Sequence, residues 1–310
     1  MPTRQGSIHL FRIAGIDLYL HWSWFVVALF EIGQRRGSYG SLTFNVLEYL
    51  ALFVIVLLHE MGHALACRSV GGRADEIVLW PLGGVAYVAP PMRPGATLWS
   101  IAAGPLVNVV LAFVFFGLGI LGNIVGWAQS MPDLVVFLGV LAFVNGLLLA
   151  FNLLPIYPLD GGQIVRSLLW FAIGRARSLL VASIIGFVGV AAMLLGVAAL
   201  FLAGRQQDAI WFGIMALFIL ANCWRGLKQA QILARAARLP RRDGFRCPSC
   251  QTAPPRGAWW TCSQCRQRFD TFETQAVCPH CGAQFAVTRC LDCGELHAME
   301  EWRIPPPPLR

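Results

Sequence analysis

Charge is scarce in this sequence. Asp, Glu, Lys and Arg make up 13% of its 310 residues, about half of the roughly 25% usual in soluble domains, while hydrophobic residues make up 57%. That excludes a water-soluble globular chain and points to several membrane spans. Cysteine is nearly missing from the first 246 residues, where Cys67 and Cys223 stand alone. A disulfide framework is excluded there, and both thiols read as small buried hydrophobes. No small-residue cleavage site follows the first apolar run, which opens at Trp22 and Trp24, so that run reads as a span with interfacial aromatics rather than a secretory signal. Arginine is absent from residues 122–133, and 204–208 hold only Arg205. Arginines do occur before the first span (Arg4, Arg12), in 67–96 (Arg68, Arg73, Arg93), in 155–177 (Arg166, Arg175, Arg177) and after residue 224. By the bias of cytoplasmic loops toward arginine, this predicts spans at about 20–33, 46–67, 97–121, 134–154, 178–203 and 209–224 with both termini cytoplasmic; Arg35 and Arg36 run against it.

The few charges that interrupt an apolar span carry the chemistry. Tyr49 to Leu58 is uncharged, and His59-Glu60-Met61-Gly62-His63 follows at once. On a helix two histidines four residues apart share a face and can reach one zinc ion, with Glu60 beside them as the base of a hydrolysis. A soluble surface helix could carry this pattern idly. In hydrocarbon three ionisable groups together are costly, roughly 2.5–3.5 kcal/mol each on insertion scales, and a metal is their economical partner.

A third ligand comes from Phe151-Asn152-Leu153-Leu154-Pro155-Ile156-Tyr157-Pro158-Leu159-Asp160-Gly161-Gly162. Its prolines cannot continue a regular helix, and a broken helix end is tolerated at membrane depth only inside protein or a watery cavity. Asp160 is then a carboxylate offered from an unwound segment. With spans two and four both running inward, His59, His63 and Asp160 fall at a similar depth near the cytoplasmic face. Together HEMGH and NLLPIYPLDGG resemble the site-2 protease family of intramembrane zinc metalloproteases (peptidase family M50), and Gly104-Pro105-Leu106-Val107-Asn108 resembles its third-helix element. The resemblance covers about residues 7–225. It implies His59, His63 and Asp160 as zinc ligands, Glu60 as catalytic base, Asn152 and Asn108 as substrate-positioning residues, and transmembrane segments of membrane-tethered proteins as substrates. Without it, Asn108 and Asn145 read as intramembrane amides that join helices.

Two stretches alternate as strands do. Residues 7–21 interleave Ile8, Leu10, Ile13, Ile16, Leu18 and Leu20 with polar neighbours, predicting a hairpin on the membrane surface, and 74–90 form two strands about Pro81-Leu82-Gly83-Gly84. The resemblance makes the second a β-element dipping into the membrane near the active site.

The remaining eight cysteines form four C-x-x-C pairs, Cys247/Cys250, Cys262/Cys265, Cys278/Cys281 and Cys290/Cys293. Taken in sequence they predict two four-cysteine zinc sites, with nested pairing left open; a reducing cytoplasmic location argues against disulfides. The expected organisation is a protease domain at 1–225, a basic juxtamembrane linker at 226–246, a tandem zinc-ribbon module at 247–293 and a Pro-rich tail at 294–310. The net charge of +8 does not point to nucleic acid, because it concentrates in 225–246, where a membrane flank is expected. The fold class is therefore an all-α polytopic membrane protein of about six helices, with short membrane-associated β-hairpins and a small double zinc-ribbon domain. Three zinc ions are expected, one catalytic and two structural, with the lipid bilayer and a protein bound by the ribbons as further partners. The rival to an enzyme is a non-enzymatic membrane scaffold that binds proteins through the module.

Overall fold

The computed structural model describes residues 6–34, 39–80 and 83–304. Arg4, Arg35, Arg36, the Pro81-Leu82 turn and the Pro305–Pro308 tail lie outside the described residues. The chain forms two compact units, Met1–Ile173 with Val181–Trp224, and Gly174–Leu180 with Arg225–Arg310.

The first unit opens with strands β1 (Ser7–Ile13) and β2 (Ile16–His21) and helix α1 (Ser23–Gln34). Helix α2 (Leu42–Ser69) begins where Ser41 accepts a hydrogen bond from the Thr43 N–H, capping an otherwise unpaired donor. Strands β3 (Arg73–Trp80) and β4 (Gly83–Ala89) follow, then α3 (Pro94–Val125), the short α4 (Trp127–Ser130), α5 (Pro132–Asn152), α6 (Asp160–Ile173), α7 (Arg175–Leu202) and α8 (Gln206–Ala237). Among the described residues, five helices, α2, α3, α5, α7 and α8, are long and apolar enough to cross a membrane.

Over the sixth span expected at 20–33, the described residues form helix α1 only from Ser23 to Gln34, which is not among these five. Helix α1 has 12 residues, about 18 Å at the helical rise, against a hydrocarbon core near 30 Å. Strand β2 and helix α1 both lie along α2. The Arg68 guanidinium bonds the Ala14 and Gly15 carbonyls at the β1–β2 turn, whereas Tyr49 donates to the Trp24 carbonyl at 2.7 Å, and the Trp24 ring packs on Tyr49 and Phe53. From Tyr49 to Arg68 is about 28 Å of helix, so β2 and the start of α1 run along most of α2.

The two predicted hairpins are one sheet, ordered β1-β2-β3-β4, in which β2 and β3 pair in parallel. They join because α1 and α2 form the crossover between them, which brings the apolar faces of both strands onto α2. Ile16, Leu18, Ile77 and Leu79 are buried there against Ala64, Cys67 and Trp24. Burial of that many aliphatic side chains, each worth about 1.5–3 kcal/mol, holds the sheet along the helix. Cys67 is fully buried, as read from the sequence.

Between α5 and α6 the chain turns through Leu153–Leu159. Asp160 is the first residue of α6 rather than part of an unwound segment. The following glycines are sterically required: a Cβ on Gly161 would lie 2.3 Å from the Leu153 carbonyl oxygen, and one on Gly162 2.3 Å from the Tyr157 nitrogen. Helices α7 and α8 support this turn through Val190, Ile219 and Cys223, which pack on Ile156 and Tyr157.

The second unit differs from the expected linker, module and tail. Helix α8 continues to Ala237, and Arg241 and Arg242 are not free membrane-flanking charges, since they pair with Asp292 (2.7 Å) and Asp270 (2.5 Å). Short strands β5 (Trp260–Thr261), β6 (Arg268–Phe269), β7 (Val287–Arg289) and β8 (Leu296–Ala298) make two hairpins. The segment after Cys293 is folded in as well. Trp302 is 1% exposed and packs with Trp260, Phe269 and Phe272 in a shared aromatic core, while the Arg246 N–H donates to the Trp302 carbonyl.

Candidate metal centres and their surroundings

The first constellation forms where α2, α3 and α6 meet. His59 and His63, one turn apart on α2, are 4% and 6% exposed, and their Nε2 atoms lie 3.1 Å apart. Asp160 Oδ2 sits 3.1 Å from His59 Nε2 and 3.3 Å from His63 Nε2, yet is buried without a hydrogen-bond partner. His63 Nδ1 faces the Ser100 carbonyl at 2.9 Å. A carbonyl only accepts, so the ring proton of His63 is on Nδ1 and its Nε2 offers a bare lone pair. His59 Nδ1 meets the side-chain oxygen of Asn108 at 2.5 Å. Two imidazole nitrogens and a buried carboxylate oxygen brought together in this way need a shared proton or a metal cation between them. Tetrahedral zinc with N and O ligands near 2.0–2.1 Å holds its donors about 3.3–3.4 Å apart, and the observed separations fit it.

Close packing sets this geometry. A Cβ on Gly104 would lie 2.2 Å from His63 Nε2, so only glycine lets α3 back onto the imidazole. Glu60, 7% exposed, is outside the three-residue donor group. Its Oε2 accepts the Ala86 N–H of β4 at 2.9 Å, and a Cβ on Gly84 would fall 2.6 Å from its carboxyl carbon. Strand β4 therefore lies directly on the carboxylate.

The structure brings His59, Glu60, His63 and Asp160 together as read from the sequence. Asn108 is fully buried, and its side-chain amide is engaged at both ends, its oxygen facing His59 Nδ1 and its nitrogen donating to Asn145. Asn152 ends α5, half-buried, eight positions before Asp160. Ser100, Ala86, Gly84 and Asn145 were not among the expected site residues; Gly83-Gly84 read only as a turn, and backbone donors leave no mark in a sequence.

The cysteines of the second unit group in nested fashion, Cys247/Cys250 with Cys290/Cys293 and Cys262/Cys265 with Cys278/Cys281. The sequential pairing is thereby replaced. The outer pairs meet because the two ends of the unit are joined, Phe245 bridging Arg303 and the Ile304 N–H donating to the Gly244 carbonyl. Facing sulfurs stand 3.6–3.8 Å apart, far from the 2.05 Å of a disulfide and close to the roughly 3.8 Å edge of a tetrahedron with 2.3 Å zinc–sulfur bonds. A hydrogen bond from Cys290 lowers the pKa of the Cys250 thiol.

The family model for peptidase family M50 matches residues 48–132 and 122–196, segments that contain the two histidines and Asp160 respectively. The chain belongs to peptidase family M50. Among relatives of this M50 protein, zinc metalloprotease MJ0392 of Methanocaldococcus jannaschii is 34% identical over 58% of this chain and 50% of its own length. Stage IV sporulation protein FB of Bacillus subtilis is 31% identical over 48% of this chain and 46% of its own length. The M50 chain thus spans about half the length of these relatives. A solved site-2 protease from Methanocaldococcus jannaschii aligns at 28% identity over 71% of this chain and 95% of that one, with a TM-score of 0.48.

Proposed function

We propose that the chain is a zinc-dependent intramembrane endopeptidase that cleaves within or near transmembrane segments of membrane-tethered proteins. The observation that carries this is the pairing of a three-donor group, His59, His63 and Asp160, with a buried carboxylate, Glu60, that is not one of the donors. Zinc in such a site supplies Lewis acidity to a peptide carbonyl and to water. Glu60 takes the proton of the attacking water and returns it to the departing amine nitrogen. The packed helices α2 and α3 exclude bulk water from both side chains. Asn152, at the end of α5 before the Asp160 turn, is proposed to hold the substrate backbone.

A helical substrate hides its peptide bonds and must unwind before hydrolysis. Strand β4 is the outer strand of the sheet and its Ala86 N–H points at Glu60. This supports adding the unwound segment to β4 as a further strand, beside the base. The arginines that follow α2 and α5 support a cytoplasmic position for this end of both helices. The two cysteine quartets are proposed as structural zinc sites of a protein-binding module.

The scaffold reading lacks a role for Glu60, and the test is made there. Bound zinc and cleavage of a transmembrane-segment substrate are measured for Glu60→Gln and Asp160→Ala. We expect Glu60→Gln to keep its zinc and lose at least about 10²–10⁴-fold in rate, and Asp160→Ala to lose zinc and rate together. Full cleavage by Glu60→Gln refutes the mechanism, and no cleavage by the unmodified protein favours the scaffold.

A further inference from the structure

Asn145, fully buried on α5, belongs to no part of the proposed chemistry, yet its hydrogen bonds are directional. Its Nδ2 donates to the backbone carbonyl of Asn108 at 2.9 Å, and its Oδ1 accepts from Asn108 Nδ2 at 2.8 Å. We infer that Asn145 is a positioning residue for the metal ligand His59: it fixes which way round the Asn108 amide lies, and so which nitrogen of His59 is free to bind zinc. This rests on the metal-site part of the proposed function and not on proteolysis.

The direction is set by the one member of the chain that cannot change role. The Asn108 carbonyl can only accept, so the side-chain nitrogen of Asn145 must face it. The Asn145 oxygen then faces Asn108, which must answer with its own nitrogen. That turns Asn108 Oδ1 toward His59 Nδ1, and an oxygen there requires the ring proton on Nδ1 and leaves the Nε2 lone pair beside Asp160. Reversing either amide would bring two oxygens to within 2.8–2.9 Å. Without Asn145 the reversed Asn108 amide costs little. Its NH₂ would then face His59 Nδ1, favouring the tautomer with the proton on Nε2, which cannot bind the metal. His63 needs no such device, because its Nδ1 meets the Ser100 carbonyl directly.

The experiment uses full-length protein in detergent and a graded zinc chelator, following the zinc that Asp160→Ala lacks. Asn145→Leu should weaken retention of that zinc about 10- to 100-fold, the usual cost of losing an outer partner of a ligating histidine, with the cysteine-bound zinc unchanged. Asn145→Asp, whose neutral carboxyl keeps one donor and one acceptor, should stay within about threefold. Because Asn145 acts only through Asn108, the double variant Asn108→Leu/Asn145→Leu should lose no more than Asn108→Leu alone. Additive losses, or equal losses in Asn145→Asp and Asn145→Leu, would show that Asn145 merely packs α5 and overturn the inference, as would unchanged retention in Asn145→Leu. Should Asn145→Leu fail to insert, Asn145→Ala and Asn145→Asp carry the same comparison.

Discussion

Adding one methyl group at Gly84 should separate the base from the metal site. An alanine Cβ at this position would lie 2.3 Å from Glu60 Cγ and 2.6 Å from its carboxyl carbon and Oε1. Ordinary contact begins near 3.4 Å, so Glu60 or β4 must move by about 1.1 Å, at the hydrogen bond that joins the Ala86 N–H to Glu60. Misplacement of a reacting group by about 1 Å can cost about 10²-fold, or about 2.7 kcal/mol of barrier. Glu60 is not a metal donor, so Gly84→Ala should keep all its zinc while cleaving about 100-fold more slowly. Gly104→Ala is the counterpart. Its Cβ would fall 2.2 Å from His63 Nε2, the ligating atom itself, and should expel the zinc of that site. Metal content of each purified variant is measured beside the initial rate on one membrane-segment substrate. Undiminished cleavage by Gly84→Ala would refute the placement of β4 on the base, and loss of zinc from it would refute the division between base and ligands.

Other outcomes test the second unit. With nested quartets, Cys250→Ala and Cys290→Ala should each remove the same zinc, and the pair together no more than either alone, whereas Cys250→Ala with Cys278→Ala should remove two; metal counting by native mass spectrometry separates these from the sequential arrangement. Trp302→Ala should lower the stability of the metal-loaded module by about 3–5 kcal/mol, as large core truncations do, because this side chain is 1% exposed among Trp260 and Phe272. Thermal or denaturant unfolding followed by tryptophan fluorescence measures it, and a loss below about 1 kcal/mol would deny the residue its place in the core.

Much of the site is legible in the order of the residues. His59, Glu60 and His63 are local: helical periodicity alone puts both imidazoles on one face, and the cost of ionisable groups in an apolar span demands a shared partner. Asp160 is legible for the same reason, as the carboxylate at a proline-broken end of another span. The five long helices follow from apolar run length. Whatever depends on contacts between distant segments is not written there. Strands are paired by their neighbours, so nothing in 7–21 or 74–90 tells that α1 and α2 bring them into one parallel-joined sheet along α2. The nested cysteine pairing needs residues 244–246 and 302–304 to pair with each other and Trp302 to enter the aromatic core, which returns residue 290 to residue 247. What Asn108 touches is not legible either, because an amide's role is set by what its two ends face, and only the packing of α5 on α3 brings Asn145 to its other side. The sequence by itself determined the chemistry, since ligand types and their helical spacing are local properties; the tertiary structure decided the register, direction and pairing, since these are relations between surfaces that meet only when the chain is folded.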